Sequence, residues 1–334
     1  MHGPWRPRIS GVGVACLDYL FVAPRAERGG QAWLGDHLIQ GGGLIGTALT
    51  AAARLGAETE IWTWVGDDEE GRQVIAGLRR EGVDVSAVER IAGARTPVSF
   101  IHVDENDGER TIFHDGLRRS RSDAATPDLL PAAPKVDPGL ELPGARASKL
   151  KERPLSCDVL LVDAVYVEAS HIAAARAWDA DIPVVGDFCP SPGLEDLTRN
   201  VTALIASAGP VDRAMPNATR EQQLNALARG GPDFVTITAG SEGAYYLERG
   251  EVKCQPSFMV DVIDTTGAGD VFHGAFAYAL ARHWPPEQAV EFASAAAALS
   301  CRALGGRTAA PTLEETVTLL RQQGSDRWLR IEGG

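Results

Sequence analysis

Cysteine is sparse in this 334-residue chain and forms no pattern. The five cysteines (Cys16, Cys157, Cys189, Cys254 and Cys301) contain no C-x-x-C pair, and an odd number argues against a disulfide framework. The seven histidines show no H-x-x-x-H spacing, so a zinc site is not indicated, and reduced thiols in the cytoplasm are expected. Positive charge is also short. Against 45 Asp and Glu stand 32 Lys and Arg, a net of −13, which disfavours duplex nucleic acid or an anionic membrane as partner. No apolar run reaches membrane-spanning length, and residues 12–20 are too short for a leader and are broken by Asp18. Gly11-x-Gly13 lacks the third glycine and the following helix of a dinucleotide fingerprint. No Gly-Lys-Ser/Thr follows any glycine cluster, so a Walker A loop is absent.

What is present suits a large core: 44% of residues are hydrophobic and 23% charged, enough for one α/β domain or two. Residues 8–16 read as a buried first strand with a polar break at Asp18. Apolar strands at 61–65, 159–162, 183–186, 203–206 and 234–238 alternate with helical patterns at 48–55, 71–81, 171–178, 194–198, 221–228, 271–281 and 286–301. Such βα units predict a doubly wound, mostly parallel sheet sandwiched by helices, with ligands at the carboxyl ends of the strands. Short strands at 20–22 and 32–34, with a hairpin of 97–103 and 110–114, predict a separate four-stranded sheet. The expected division is a core of 1–17, 41–95 and 117–334 and a small sheet of 18–40 and 96–116. Residues 117–154, rich in Pro, Ala, Asp, Arg and Lys, read as a surface insertion. The small sheet's edges could pair across a dimer.

Two glycine clusters open helices. Asp264-Thr-Thr-Gly-Ala-Gly-Asp270 runs into an apolar stretch of helical spacing, so its glycines sit at a helix N-terminus, where unpaired N–H groups and the dipole favour an anion. Asp270 in that first turn suits proton removal from a hydroxyl attacking a phosphate. A bare GxGD is equally a turn and a dipole-favoured acid. Gln40-Gly-Gly-Gly-Leu-Ile-Gly-Thr47 allows either close approach of a ligand or tight helix packing, and Thr238-Ala-Gly240-Ser-Glu-Gly243 alone is a hairpin turn.

As complete strings, followed by Val-Phe-His-Gly-Ala in the first case and joined by Val65-Gly66-Asp67-Asp68-x-x-Gly71 in the second, the two clusters resemble the signatures of the pfkB (ribokinase-like) carbohydrate kinases. The resemblance spans nearly the whole chain apart from the insertion. It implies a ribokinase-like fold with a β lid, and transfer of the γ-phosphate of ATP to a hydroxyl of a ketose or related sugar. Asp270 would be the base, with Gly267, Ala268 and Gly269 in the anion hole. Asp18, Gly42, Gly43 and Thr47 would hold the sugar, although many ribokinases have Asn in place of Thr47. Asn217, Thr238, Gly240 and Gly243 would meet the nucleotide. Glu221, one place later than the family's Asn-x-x-Glu spacing, would face Mg²⁺, and Asp264 and Thr266 a monovalent cation such as K⁺. The exposed strand edges of that lid make a homodimer through it the expected assembly. The wording is most similar to the sulfofructose kinase branch, but positions where a sulfonate needs basic side chains hold Gln31, His114, Val165 and Tyr166. Also open are a nucleoside kinase, with Trp33, Phe100 and Phe113 as an aromatic shelf, and a non-catalytic sugar- or nucleotide-binding regulator.

Overall fold

The computed structural model describes residues 5–24, 30–106, 108, 110–116, 118–119, 150, 152 and 155–325. The insertion expected at 117–154 lies almost wholly outside them. Among the described residues the main sheet has nine strands. Their spatial order is Glu251–Gln255, Ala244–Glu248, Phe234–Thr238, Ala203–Ser207, Val184–Asp187, Val159–Asp163, Arg8–Val12, Glu58–Trp62 and Val83–Asp84. From Phe234–Thr238 to Val83–Asp84 all neighbours run parallel, and two antiparallel strands close the other edge.

Parallel strands covered on both faces have nowhere to put polar side chains, which is why Val159 to Val162 and Ala203 to Ala206 are unbroken apolar runs. Alternate side chains enter two different cores: Val159 and Leu161 one, Leu160 and Val162 the other. Helices Leu44–Arg54, Ala268–Ala281, Pro286–Ser300 and Leu313–Gln322 cover the first face, and Val167–Asp179, Glu195–Arg199 and Arg220–Ala228 the second. Leu44–Arg54 and Ala268–Ala281 cross backbone to backbone. A Cβ on Gly274 would fall 2.0 Å from the Ala48 carbonyl oxygen. The chain leaves Arg8–Val12 for neighbours on either side, so a crevice opens beyond the carboxyl ends of the central strands.

A four-stranded sheet stands apart, in the order Arg110–Asp115, Val98–Asp104, Cys16–Ala23 and Asp36–Gly42. Its register aligns Gln40, Asp18, Ser99 and His114 in one row across all four strands, and Ile39, Tyr19, Phe100 and Phe113 in the next. Successive residues of a strand point to opposite faces, so the polar and apolar rows look opposite ways. Asp18 and Ser99 are buried, while Phe100 and Phe113 are 47% and 61% exposed.

The first strand stops at Val12 because Gly13 brings the backbone against Asp163, where a Cβ would lie 2.2 Å from a carboxylate oxygen. Cys16 already pairs with Gly42, so Asp18 sits inside a strand of the small sheet instead of at a polar break. Residues 32–34 form no strand. The ladder ends where Val22 meets Asp36, leaving Trp33 unpaired by any strand and 94% exposed. Two helices start before their apolar periodicity does, at Leu44 and Ala268, because the glycine clusters are drawn into their first turns.

Candidate active site

Gly267 caps Ala268–Ala281 in the left-handed conformation (φ 73°, ψ 0°). A Cβ there would lie 2.6 Å from the Gly306 Cα, so only glycine lets the two segments touch. The Val271 N–H donates to the Gly267 carbonyl at 2.9 Å, which puts the N–H groups of Gly269 and Asp270 ahead of the helical ladder. The Ala268 N–H is partly drawn off, donating to the Thr265 carbonyl at 3.3 Å. Asp264 is buried and braces the turn: one oxygen accepts the Thr266 N–H and the other the Gly305 N–H, both at 2.8 Å. The Thr266 Oγ1 is buried without a hydrogen-bond partner, a polar atom fit to face a cation.

Asp270 is half-buried in the first turn. Desolvation raises its pKa well above the ordinary carboxylate range. The Asp187 and Asp18 charges raise it further, while His273 and Arg110 oppose them. Asp18 and Asp270, which are 252 positions apart, thus lie in one another's field. Behind Asp270, His273 Nδ1 lies 2.7 Å from the Gly269 carbonyl oxygen, and Nε2 lies 3.2 Å from that of Ile205 and 3.3 Å from Asp187. Asp187 faces Asp163 in register at the strand ends, and burial pushes each carboxyl to about 7. Asp163 accepts the N–H groups of Val14 at 2.7 Å and Val165 at 2.9 Å. Sequence reasoning did not single out Asp163, Asp187 or His273. Their available signal is an acid closing a buried apolar strand, and a polar ring inside an otherwise apolar helix.

At the other side of the crevice, burial raises the Asp18 pKa, while a hydrogen bond from the Cys16 thiol at 3.1 Å and the nearby Arg307 charge ease the cost. Ser99 Oγ is 3.2 Å from His114 Nδ1 in the same row, and the Gln40 Nε2 is buried without a partner. A Cβ on Gly42 would collide with the Asp18 carboxylate at 1.9 Å. Gly43 has φ 86°, and a Cβ there would lie 2.7 Å from the Val14 carbonyl oxygen. Thr47 is buried, with its Oγ1 3.4 Å from Arg307 Nε.

The remaining positions are more scattered. Thr238 ends a central strand, and Gly240 opens a short 3₁₀ turn with free space beyond its missing Cβ. Gly243 is needed for packing, since a Cβ would meet the Gln255 carbonyl oxygen at 2.1 Å. Asn217 and Glu221 are exposed, before and within Arg220–Ala228. Among the described residues no three acids, histidines or cysteines gather as a metal site. Asp68 instead of a ligand meets Thr96 Oγ1 at 2.5 Å and caps Glu69–Arg80 through the Gly71 N–H.

A family model described as pfkB family carbohydrate kinase matches residues 39–313, well over half of the chain. The chain belongs to the pfkB family of carbohydrate kinases. Its class of chemistry is therefore phosphoryl transfer to an alcohol. The ribokinase of Bacillus subtilis is 27% identical over 312 residues, covering 92% of this chain and 98% of its own. A crystal structure of an Agrobacterium tumefaciens protein, provisionally assigned as a ribokinase, is 30% identical with a TM-score of 0.80. It covers 96% of this chain and 99% of that one. Arabidopsis thaliana ribokinase, solved with ribose and ATP, shares the fold at 22% identity and a TM-score of 0.73, over 95% and 99% of the two chains. In this kinase one more cation reaches the crevice unannounced by any motif. Arg110 of the small sheet donates to Thr265 Oγ1 at 2.6 Å, beside the Gly267 turn.

Proposed function

We propose that this kinase transfers the γ-phosphoryl group of ATP to a primary hydroxyl of a free ketose or related neutral sugar. The observation that carries this reading is one continuous crevice wall: Gly42 packs on Asp18, Arg307 donates to the Gly42 carbonyl, and the adjoining Gly306 packs on the Gly267 turn that precedes Asp270. Asp18 and the neutral polar row of Gln40, Ser99 and His114 suit a polyol, because a hydroxyl lost from the substrate would leave buried Asp18 or Ser99 short of a partner. Asp270 takes the proton of the attacking hydroxyl, and burial raises its pKa, which makes the carboxylate a stronger base. The N–H groups of Gly267, Gly269 and Asp270, with Ala268 as a weaker fourth, stabilise charge on the transferred group.

The nucleotide would lie against Thr238 and the open side of Gly240, with Asn217 toward its phosphates. Bound Mg²⁺ would neutralise phosphate charge. Glu221 offers it one carboxylate, and phosphates and water would complete its shell. Asp264 and the unpartnered Thr266 hydroxyl fit K⁺. The small sheet would act as a lid that closes over sugar and excludes competing water. The exposed Ile39, Phe100 and Phe113 support a homodimer through it. The five free cysteines support a cytoplasmic location.

The test is ADP release with MgATP, with and without K⁺, across ketoses, aldoses, acid sugars, sulfofructose and nucleosides. A neutral sugar should give the highest kcat/KM. Preference for sulfofructose or a nucleoside would replace the substrate class, and no acceptor-dependent release would overturn the proposal.

A further inference from the structure

We infer that Arg307 is a positioning residue for the sugar, fastening the sugar loop to the segment that braces the anion turn. This rests on the reading of Asp18 as the sugar-binding carboxylate. Arg307 is only 4% exposed, and a guanidinium is rarely buried without partners that justify it. It reaches back across more than 250 positions. Its Nη2 donates to the Gly42 carbonyl at 2.7 Å, and its Nε faces Thr47 Oγ1 at 3.4 Å. The glycine cluster is shaped around it. A Cβ on Gly41 would fall 2.3 Å from Nη1, and one on Gly46 would fall 2.5 Å from Nη2. Glycines that suggest ligand contact in the sequence are thus partly room for a buried cation.

The other end of the same short run is equally engaged. The Gly305 N–H donates to Asp264, and Gly306 packs on Gly267. Gly305-Gly306-Arg307 therefore touches the cation turn, the anion turn and the sugar loop in three consecutive residues. Asp18 is the strongest charged neighbour of Arg307. The groups facing Asp18 are Cys16 on its own strand, His114 from the hairpin, Arg307 from the return segment and Asp270 from the helix. Burial holds His114 toward its neutral form, which leaves Arg307 as the permanent cation of the set.

The experiment uses the full chain and the sugar that wild type phosphorylates best in the panel above. Variants are Arg307→Gln, Arg307→Lys and Gly46→Ala, the last displacing the guanidinium without deleting it. Sugar KM, ATP KM and kcat are measured across pH roughly 5 to 9, with a thermal melt of each variant. Arg307→Gln should raise sugar KM at least about tenfold while ATP KM stays within about twofold. It should also move the acid limb of kcat/KM for sugar to higher pH, since Asp18 loses its cation. Arg307→Lys should keep the wild-type limb but not the wild-type KM, and Gly46→Ala should raise sugar KM. Unchanged sugar KM in Arg307→Lys and Gly46→Ala, or equal rises in sugar and ATP KM, would overturn the inference even if Arg307→Gln fails to fold. A wild type with no sugar-dependent turnover would instead overturn the parent reading.

Discussion

Replacing Asp187 with Asn takes a charge out of the crevice floor while keeping the side chain's size. Burial raises this carboxyl from 3.8 to about 7, so the native protein keeps a proton that the unfolded chain has released. Between about pH 4 and 7 the native state therefore binds more protons, and wild-type stability falls as pH rises through that window. Roughly three units at about 1.36 kcal/mol each set a ceiling of about 4 kcal/mol. Asp163 and Asp270 share the same field, which brings the expected gain for Asp187→Asn at pH 8 to about 1–2 kcal/mol. With an unfolding entropy of about 2.1 cal/mol/K per residue, a chain this long should melt about 1–3 °C higher. At about pH 4 the difference should vanish or reverse, because both proteins then carry a neutral group there. Catalysis supplies a second readout. Asp187 raises the Asp270 pKa, so its removal should move the acid limb of kcat/KM to lower pH. Thermal melts at the two pH values and a pH–rate profile test both. A melting shift independent of pH, or an acid limb that stays put, would refute the reasoning.

Asp270→Asn should cut kcat by at least about 10²-fold with sugar KM within about threefold, and near-normal turnover would remove Asp270 from the base role. Arg110→Met should move the acid limb upward, opposite to Asp187→Asn, because it strips a cation from the Asp270 field; coincident profiles would exclude Arg110 from the crevice. Gly267→Ala should lower Tm and kcat together, since a left-handed alanine costs about 1–2 kcal/mol before its contact with Gly306 is counted. Unaltered melting and turnover would show that the turn relaxes freely. Sedimentation at micromolar concentration should show a dimer, and Phe113→Glu a monomer, if the exposed row of the small sheet pairs two copies.

The sequence by itself determined the mostly parallel sheet with helices on both faces and the glycine turns that precede two of those helices, because those depend on local chemistry. A strand covered on both faces must be apolar throughout, as Val159 to Val162 is, and a left-handed turn against another backbone must be glycine, as at Gly267. Tertiary structure alone decided which side chains meet. Ala32-Trp33-Leu34 has strand composition but lies past the end of its ladder, and a strand exists only where a neighbour completes its hydrogen bonds. Thr47 is in the expected cluster, yet its hydroxyl faces a guanidinium 260 positions later. Asp18, Asp187, Asp270 and Arg307 have no common spacing to read. The crevice at the strand ends brings Asp187 from the main sheet, Asp18 from the small sheet and Arg307 from the return segment within the field of Asp270.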